Sequence, residues 1–122
     1  MAKKIDTRIV SKAFARYIRM TPRKVRGVID LVRGKRLKLA YSILIGVNKS
    51  ARLPVEKVIK SAETNAKRSS PTIDTSGLII KHIWADEGPL LGYGKRFRAA
   101  PMGRAMQIKK KTCHIGVELA VK

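Results

Sequence analysis

Thr21-Pro22-Arg23-Lys24-Val25-Arg26-Gly27-Val28-Ile29-Asp30-Leu31-Val32-Arg33-Gly34 is the stretch from which the fold can be read. Thr21 suits an N-cap, Pro22 the first helical position and Gly34 the C-terminal cap. Between them Val25, Val28, Ile29 and Val32 recur at i, i+3, i+4 and i+7, one apolar stripe of an amphipathic helix. Arg23, Lys24, Arg26 and Arg33 fall off that stripe. Asp30 lies within a turn of both Arg26 and Arg33 and reads as an ion-pair partner, not an acid catalyst.

Working outward, residues 13–19 read as a short strand whose aromatics and Ile spread over both faces. Lys38 to Ile45 suggests a second helix ending at Gly46. A third should cover much of Ser50 to Arg68, with Ala51, Val55, Val58, Ile59, Ala62 and Ala66 on one face. Pro54 either starts or kinks it. Glu56 with Lys60 and Glu63 with Lys67 are i,i+4 pairs in the favoured order. Leu78 to Asp86 looks like a strand. In the last segment Ile115, Val117, Leu119 and Val121 alternate with His114, Gly116, Glu118 and Ala120, the period of a half-buried strand. The expected fold is α+β: a three-stranded antiparallel sheet covered on one face by about three helices, in a single domain.

Residues 87–111 remain. A structureless loop of that length does not belong in a compact domain. Read as a hairpin, each arm holds about 12 residues and reaches about 40 Å at ~3.3 Å per residue. The expected body has a radius of gyration of only about 14 Å. A long β-hairpin should therefore project from a body formed by about 8–86 and 112–122. With few large apolar groups to pack, it should be poorly ordered alone and fold on an anionic surface.

Charge points to the same surface. The 122 residues carry 28 Lys plus Arg against 8 Asp plus Glu, a formal charge of +20. Between 88 and 111 Lys95, Arg96, Arg98, Arg104, Lys109, Lys110 and Lys111 meet no acidic residue. Residues 1–38 form a second cationic zone, and the middle of the chain is nearly balanced. With 44% hydrophobic residues the chain has apolar surface to fold and is no disordered tail. No apolar run approaches the ~18 residues of a membrane span, and Met1 to Asp6 lacks the features of a secretory signal. Cys113, the one cysteine, reads as a small buried hydrophobe. With His82 and His114 it makes no metal-ligand spacing. No cofactor is expected.

Four motifs in one order resemble a family. Thr21 to Arg26 with Asp30 to Lys35 resembles the first helix of the large-subunit ribosomal protein twenty-two family. Ser61-Ala62-Glu63-Thr64-Asn65-Ala66 resembles the S-A-x-x-N-A of its long helix. Asp86-Glu87-Gly88-Pro89 is similar to the start of its extended hairpin. Gly103-Arg104-Ala105 with Thr112-Cys113-His114-Ile115 is similar to the return arm and final strand. The resemblance spans roughly residues 8–121. It implies a structural RNA-binding protein of the large ribosomal subunit, with its body near the peptide exit and its hairpin tip lining the exit tunnel. The implied partners are large-subunit ribosomal RNA, neighbouring large-subunit proteins and the nascent peptide, with no membrane and no small-molecule substrate. The location would be the ribosome, in the cytoplasm or in an organelle stroma. The tip departs from the family pattern: Ala100 stands where an Arg is usual, and Leu90 to Lys95 is longer than usual.

On this reading Arg16, Arg19, Arg23, Lys24, Arg26 and Arg33 contact RNA around the first helix. Lys95, Arg96, Arg98, Arg104, Lys109, Lys110 and Lys111 do so on the arm, and Tyr93 and Phe97, read as lying at its tip, could stack on bases. With aromatics at 5%, recognition should run through RNA shape and backbone, and the protein should clamp RNA segments distant in sequence. A DNA-binding regulator is the main rival reading, supported by the basic first helix. A cationic membrane-surface protein is weaker, for want of an exposed apolar helix face. No phosphate-cradling loop or nucleophile–base pair suggests an enzyme.

Overall fold

The computed structural model describes residues 8–121. The N-terminal stretch on which the expectation about a secretory signal rests lies outside them. The chain runs β1 (Ile9–Ile18), α1 (Pro22–Val32), α2 (Leu37–Gly46), α3 (Arg52–Ser69), β2 (Leu78–Glu87), β3 (Phe97–Ala99), β4 (Ala105–Gln107) and β5 (Cys113–Val121). Short 3₁₀ turns at Thr75–Gly77, Leu91–Gly94 and Pro101–Gly103 punctuate it.

β5 is the central strand of an antiparallel sheet ordered β1-β5-β2. Its alternation explains the position: Cys113, Ile115, Val117 and Leu119 are buried toward the helices, and His114 and Glu118 face the other way. The α1 stripe of Val25, Val28, Ile29 and Val32 is fully buried, as are Val55, Ile59, Ala62 and Ala66 of α3. Each large side chain so buried contributes about 1.5–3 kcal/mol. The α+β expectation holds, with β1 starting earlier than read because Ile9 and Ser11 also pair with β5.

Local signals resolve at the helix ends. Pro54 is the third residue of α3, in the first turn where its missing N–H has no carbonyl to meet, so it starts the helix and does not kink it. Gly34 takes φ +74°, and its N–H donates to the Ile80 carbonyl at 3.0 Å while Ile80 N–H returns to Lys35 at 2.9 Å. This turn ties α1 to β2. Thr21 sits at the N-cap with extended φ/ψ, but its hydroxyl makes no cap hydrogen bond.

The two outer strands are fastened by side chains from the helices. Arg26 of α1 and Arg33, its C-cap, donate to the Ala85 and Ile83 carbonyls of β2. Asn65 Nδ2 of α3 donates to the Lys12 carbonyl of β1 at 2.9 Å. Tyr41 on α2 donates to Glu63 Oε2 on α3 at 2.8 Å.

Pairing continues past the body into the hairpin: Gly88 N–H to Thr112 O, Leu91 N–H to Lys110 O, Ile108 N–H to Arg96 O and Ala100 N–H to Arg104 O. β3 and β4 form a separate two-stranded sheet whose six residues are all exposed. The ladder is not uniform. Leu91–Gly94 forms a 3₁₀ turn with Gly92, Tyr93 and Gly94 at positive φ, closed by Gln107 Nε2 donating to the Gly94 carbonyl at 2.6 Å.

Candidate nucleic-acid interface

The chain from β1 into α1 and the two arms of the hairpin converge on one cleft of about 510 Å³. Arg19, Met20, Thr21 and Lys24 form one wall. Leu91, Arg96, Lys109, Lys110, Lys111 and Thr112 form the other, and Ser50 of the α2–α3 loop completes it. Six of these side chains are cationic and none is acidic. Among them only Lys111 has an ion-pair partner within the described residues, Glu87 at 3.1 Å. Thr112 fixes the hairpin root by donating its hydroxyl to the Pro89 carbonyl at 2.6 Å.

A second hollow of about 300 Å³ adjoins the first, sharing Thr21 and Lys111 and adding Pro22, Arg23, Arg26 and Glu87. So many like charges around one concavity repel one another unless an anion neutralises them. The hydroxyls of Thr21 and Ser50 and the fork of Arg96 are suited to phosphate oxygens.

The residues singled out in the sequence divide into groups. Arg19, Lys24, Arg96, Lys109, Lys110 and Lys111 meet in the main cleft, with Arg23 and Arg26 beside it. Arg26, however, also holds the Ala85 carbonyl. Arg33 lies at the far end of α1, paired with Asp30 at 2.9 Å and donating to Ile83 O. Asp30 is thus the ion-pair partner expected, but of Arg33. Arg16 borders the open face of the sheet. Lys95, Arg98 and Arg104 lie exposed along the distal hairpin. Tyr93 and Phe97 are 82% and 61% exposed, yet they sit on the outgoing arm: the turn itself is Ala100 to Arg104, with Met102 at φ +62°.

Sequence reading did not find Thr21 and Ser50 as cleft residues, because no local pattern marks a hydroxyl that a distant segment will approach. It also missed a cluster on the open sheet face, where Phe14, Tyr17, Trp84 and His114 lie close together. Among the described residues no group of three His, Cys, Asp or Glu side chains is placed to hold a metal. No helix among them is long and apolar enough to cross a membrane. Cys113 is buried, and that burial pushes its thiol pKa up, away from reactive thiolate.

Comparison with known proteins agrees with this architecture. The family model described as Ribosomal protein L22p/L17e matches residues 13–120. Two proteins named large ribosomal subunit protein uL22, from Desulfitobacterium hafniense strains Y51 and DSM 10664 / DCB-2, are each 49% identical over 112 residues. Those alignments cover 92% of this chain and 95% of each relative. With its α+β body, cationic hairpin and near full-length match, the chain belongs to the L22p/L17e family of ribosomal proteins.

Proposed function

We propose that the protein is a non-enzymatic structural component of the large ribosomal subunit that binds ribosomal RNA. The observation that carries this is the cleft lined by six cationic side chains from the start of α1 and both hairpin arms and by no acidic one, with only Lys111 paired, to Glu87 outside the lining. RNA phosphates entering it release counterions, so affinity falls steeply with salt. Because the cleft joins the body to the hairpin root and the distal arm adds Lys95, Arg98 and Arg104, one RNA segment in the cleft and another along the arm are held together. That is the clamp.

The rival DNA-binding reading loses its best support. Arg26 of the basic helix and Arg33 at its C-cap are turned onto β2 carbonyls, which leaves Arg23 and Lys24, beside the cleft, as the free cations of α1. Family likeness and the exposed turn at Ala100–Arg104 support the finer assignments. In these the hairpin tip lines the peptide exit tunnel beside the nascent peptide, neighbouring subunit proteins flank the body, and the protein resides on ribosomes in a cytoplasm or an organelle stroma.

The test is binding of structured large-subunit RNA, duplex DNA and anionic vesicles at matched salt. Structured RNA should be preferred. Replacing Lys109, Lys110 and Lys111 together by Ala should lower the slope of log affinity against log salt by roughly 0.7–0.9 per lost phosphate contact. Equal binding to all three polyanions, or an unchanged slope, would count against the proposal.

A further inference from the structure

The helices cover one face of the sheet, and the opposite face carries a cluster of its own. Phe14 of β1 and Trp84 of β2 flank Gly116 of β5, each in register with it. A Cβ on Gly116 would lie 2.4 Å from Trp84 Cζ2, so the indole rests directly on the β5 backbone. Phe14 and Trp84 meet edge to face, with centroids 5.8 Å apart at 63°. In the next row Tyr17 and His114 repeat the arrangement at 5.0 Å and 88°.

Tyr17 reaches that position through a bulge between Ala15 and Ile18, with φ +56° and its N–H donating to His114 Nδ1 at 3.0 Å. A left-handed tyrosine is strained, and strain of this kind collects at functional sites. Here it turns a ring onto the open face, where Tyr17 is 65% and Phe14 60% exposed. Arg16 and Asp86 border the same hollow, of about 330 Å³.

We propose that this open sheet face is a second RNA-contact surface, on which unstacked nucleobases stack against the Tyr17–His114 and Phe14–Trp84 pairs while Arg16 meets an adjoining phosphate. The inference rests on the RNA-binding reading above but uses different chemistry: base–aromatic stacking accepts any base and does not depend on counterion release. Asp86 is placed to accept a hydrogen bond from an exocyclic amino group.

Two observations favour a nucleotide over a protein segment. The face is no continuous apolar surface, since the row beyond Phe14 is filled by the Lys12–Glu118 ion pair at 2.7 Å and by His82. It also carries its own cation, Arg16, at the border of the hollow, and Tyr17 lies two residues before Arg19 of the cationic cleft.

Trp84 is the only tryptophan in the chain, so its emission reports on this face alone. The full-length protein is titrated with a short oligoadenylate and with an abasic ribose-phosphate strand of equal length, and binding is followed separately by anisotropy of a label on each strand. Oligoadenylate should quench Trp84, and the abasic strand should bind without quenching. Tyr17→Leu and Phe14→Leu, each verified as folded by circular dichroism, should weaken oligoadenylate about 5- to 100-fold with the salt slope unchanged. Should one variant fail to fold, the other and the wild-type quenching decide. RNA binding without quenching, and with both variants equal to wild type, overturns the stacking surface and leaves the cleft standing. No RNA binding by the wild type overturns both. Quenching by neighbouring ribosomal proteins but not by RNA assigns the face to protein and overturns the proposal.

Discussion

Arg26 on α1 lays its guanidinium against the Ala85 carbonyl of β2, with Nη2 at 2.9 Å and Nε at 3.2 Å. A residue from the cationic first helix thereby serves the sheet. Hydrogen bonds from a charged donor contribute about 1.5–3 kcal/mol where buried, and less here because the contact is half-open. Arg26→Ala should destabilise the protein by about 1–2 kcal/mol in urea unfolding, and Arg26→Lys, which lacks the fork, should recover only part of it. The same variants should weaken RNA binding less than loss of Lys109, Lys110 and Lys111.

Gly116→Ala tests the contact between β5 and Trp84. The new methyl would come within 2.4–2.5 Å of Trp84 ring atoms, and the indole has β5 backbone beneath it. Overpacking of this kind costs about 1–3 kcal/mol. The expected result is a lower urea midpoint together with a shifted Trp84 emission maximum, since the ring must lift toward water.

Ile59 is fully buried where α3 meets the sheet. Ile59→Ala should cost about 2–5 kcal/mol, the range for removing a large aliphatic side chain from a packed core. Chemical denaturation should show a lower midpoint with an unchanged slope, because the surface exposed on unfolding is nearly the same.

Acid should weaken the α2–α3 contact. Burial opposes the charge on Glu63, but hydrogen bonds from Lys67 and Tyr41 outweigh it and hold the carboxyl below its ordinary value. Glu56 is lowered too, chiefly by the hydrogen bond from Lys60. A carboxyl whose folded pKa lies below its unfolded value of about 4.3 contributes stability above that value and loses it as pH falls through the folded one. The urea midpoint should stay flat from neutrality to about pH 5 and drop below about pH 4. Glu63→Gln should lower the neutral plateau and make the drop shallower. At the alkaline end, burial and the Glu63 contact raise Tyr41, so its contribution is complete below about pH 10 and declines above it.

The parts of the fold legible in the sequence are those fixed by local spacing. The Val25–Val32 stripe, the Glu56–Lys60 and Glu63–Lys67 pairs and the burial of Ile115, Val117 and Leu119 on β5 depend on neighbours within two turns or along one strand, and the structure contains them, although Val121 at the strand end is exposed and Gly116 and Ala120 are buried. Partners supplied by distant segments were not legible. Nothing near Arg26 announces a carbonyl 59 residues away. The apposition of Phe14 and Trp84 over Gly116 follows from the register of three strands, and Tyr17 joins them only because a bulge shifts that register. The cleft was half visible: its charges stood out, but their meeting beside Thr21 required the hairpin to be placed.

The fastening of the outer strands has a consequence for the chain on its own. An uncovered strand margin is a template on which further copies polymerise. Here Gly34 takes the Ile80 carbonyl, Arg33 that of Ile83 and Arg26 that of Ala85, while Asn65 takes that of Lys12. At those positions a second molecule finds no free acceptor to begin a fibril, and the +20 charge keeps such molecules apart.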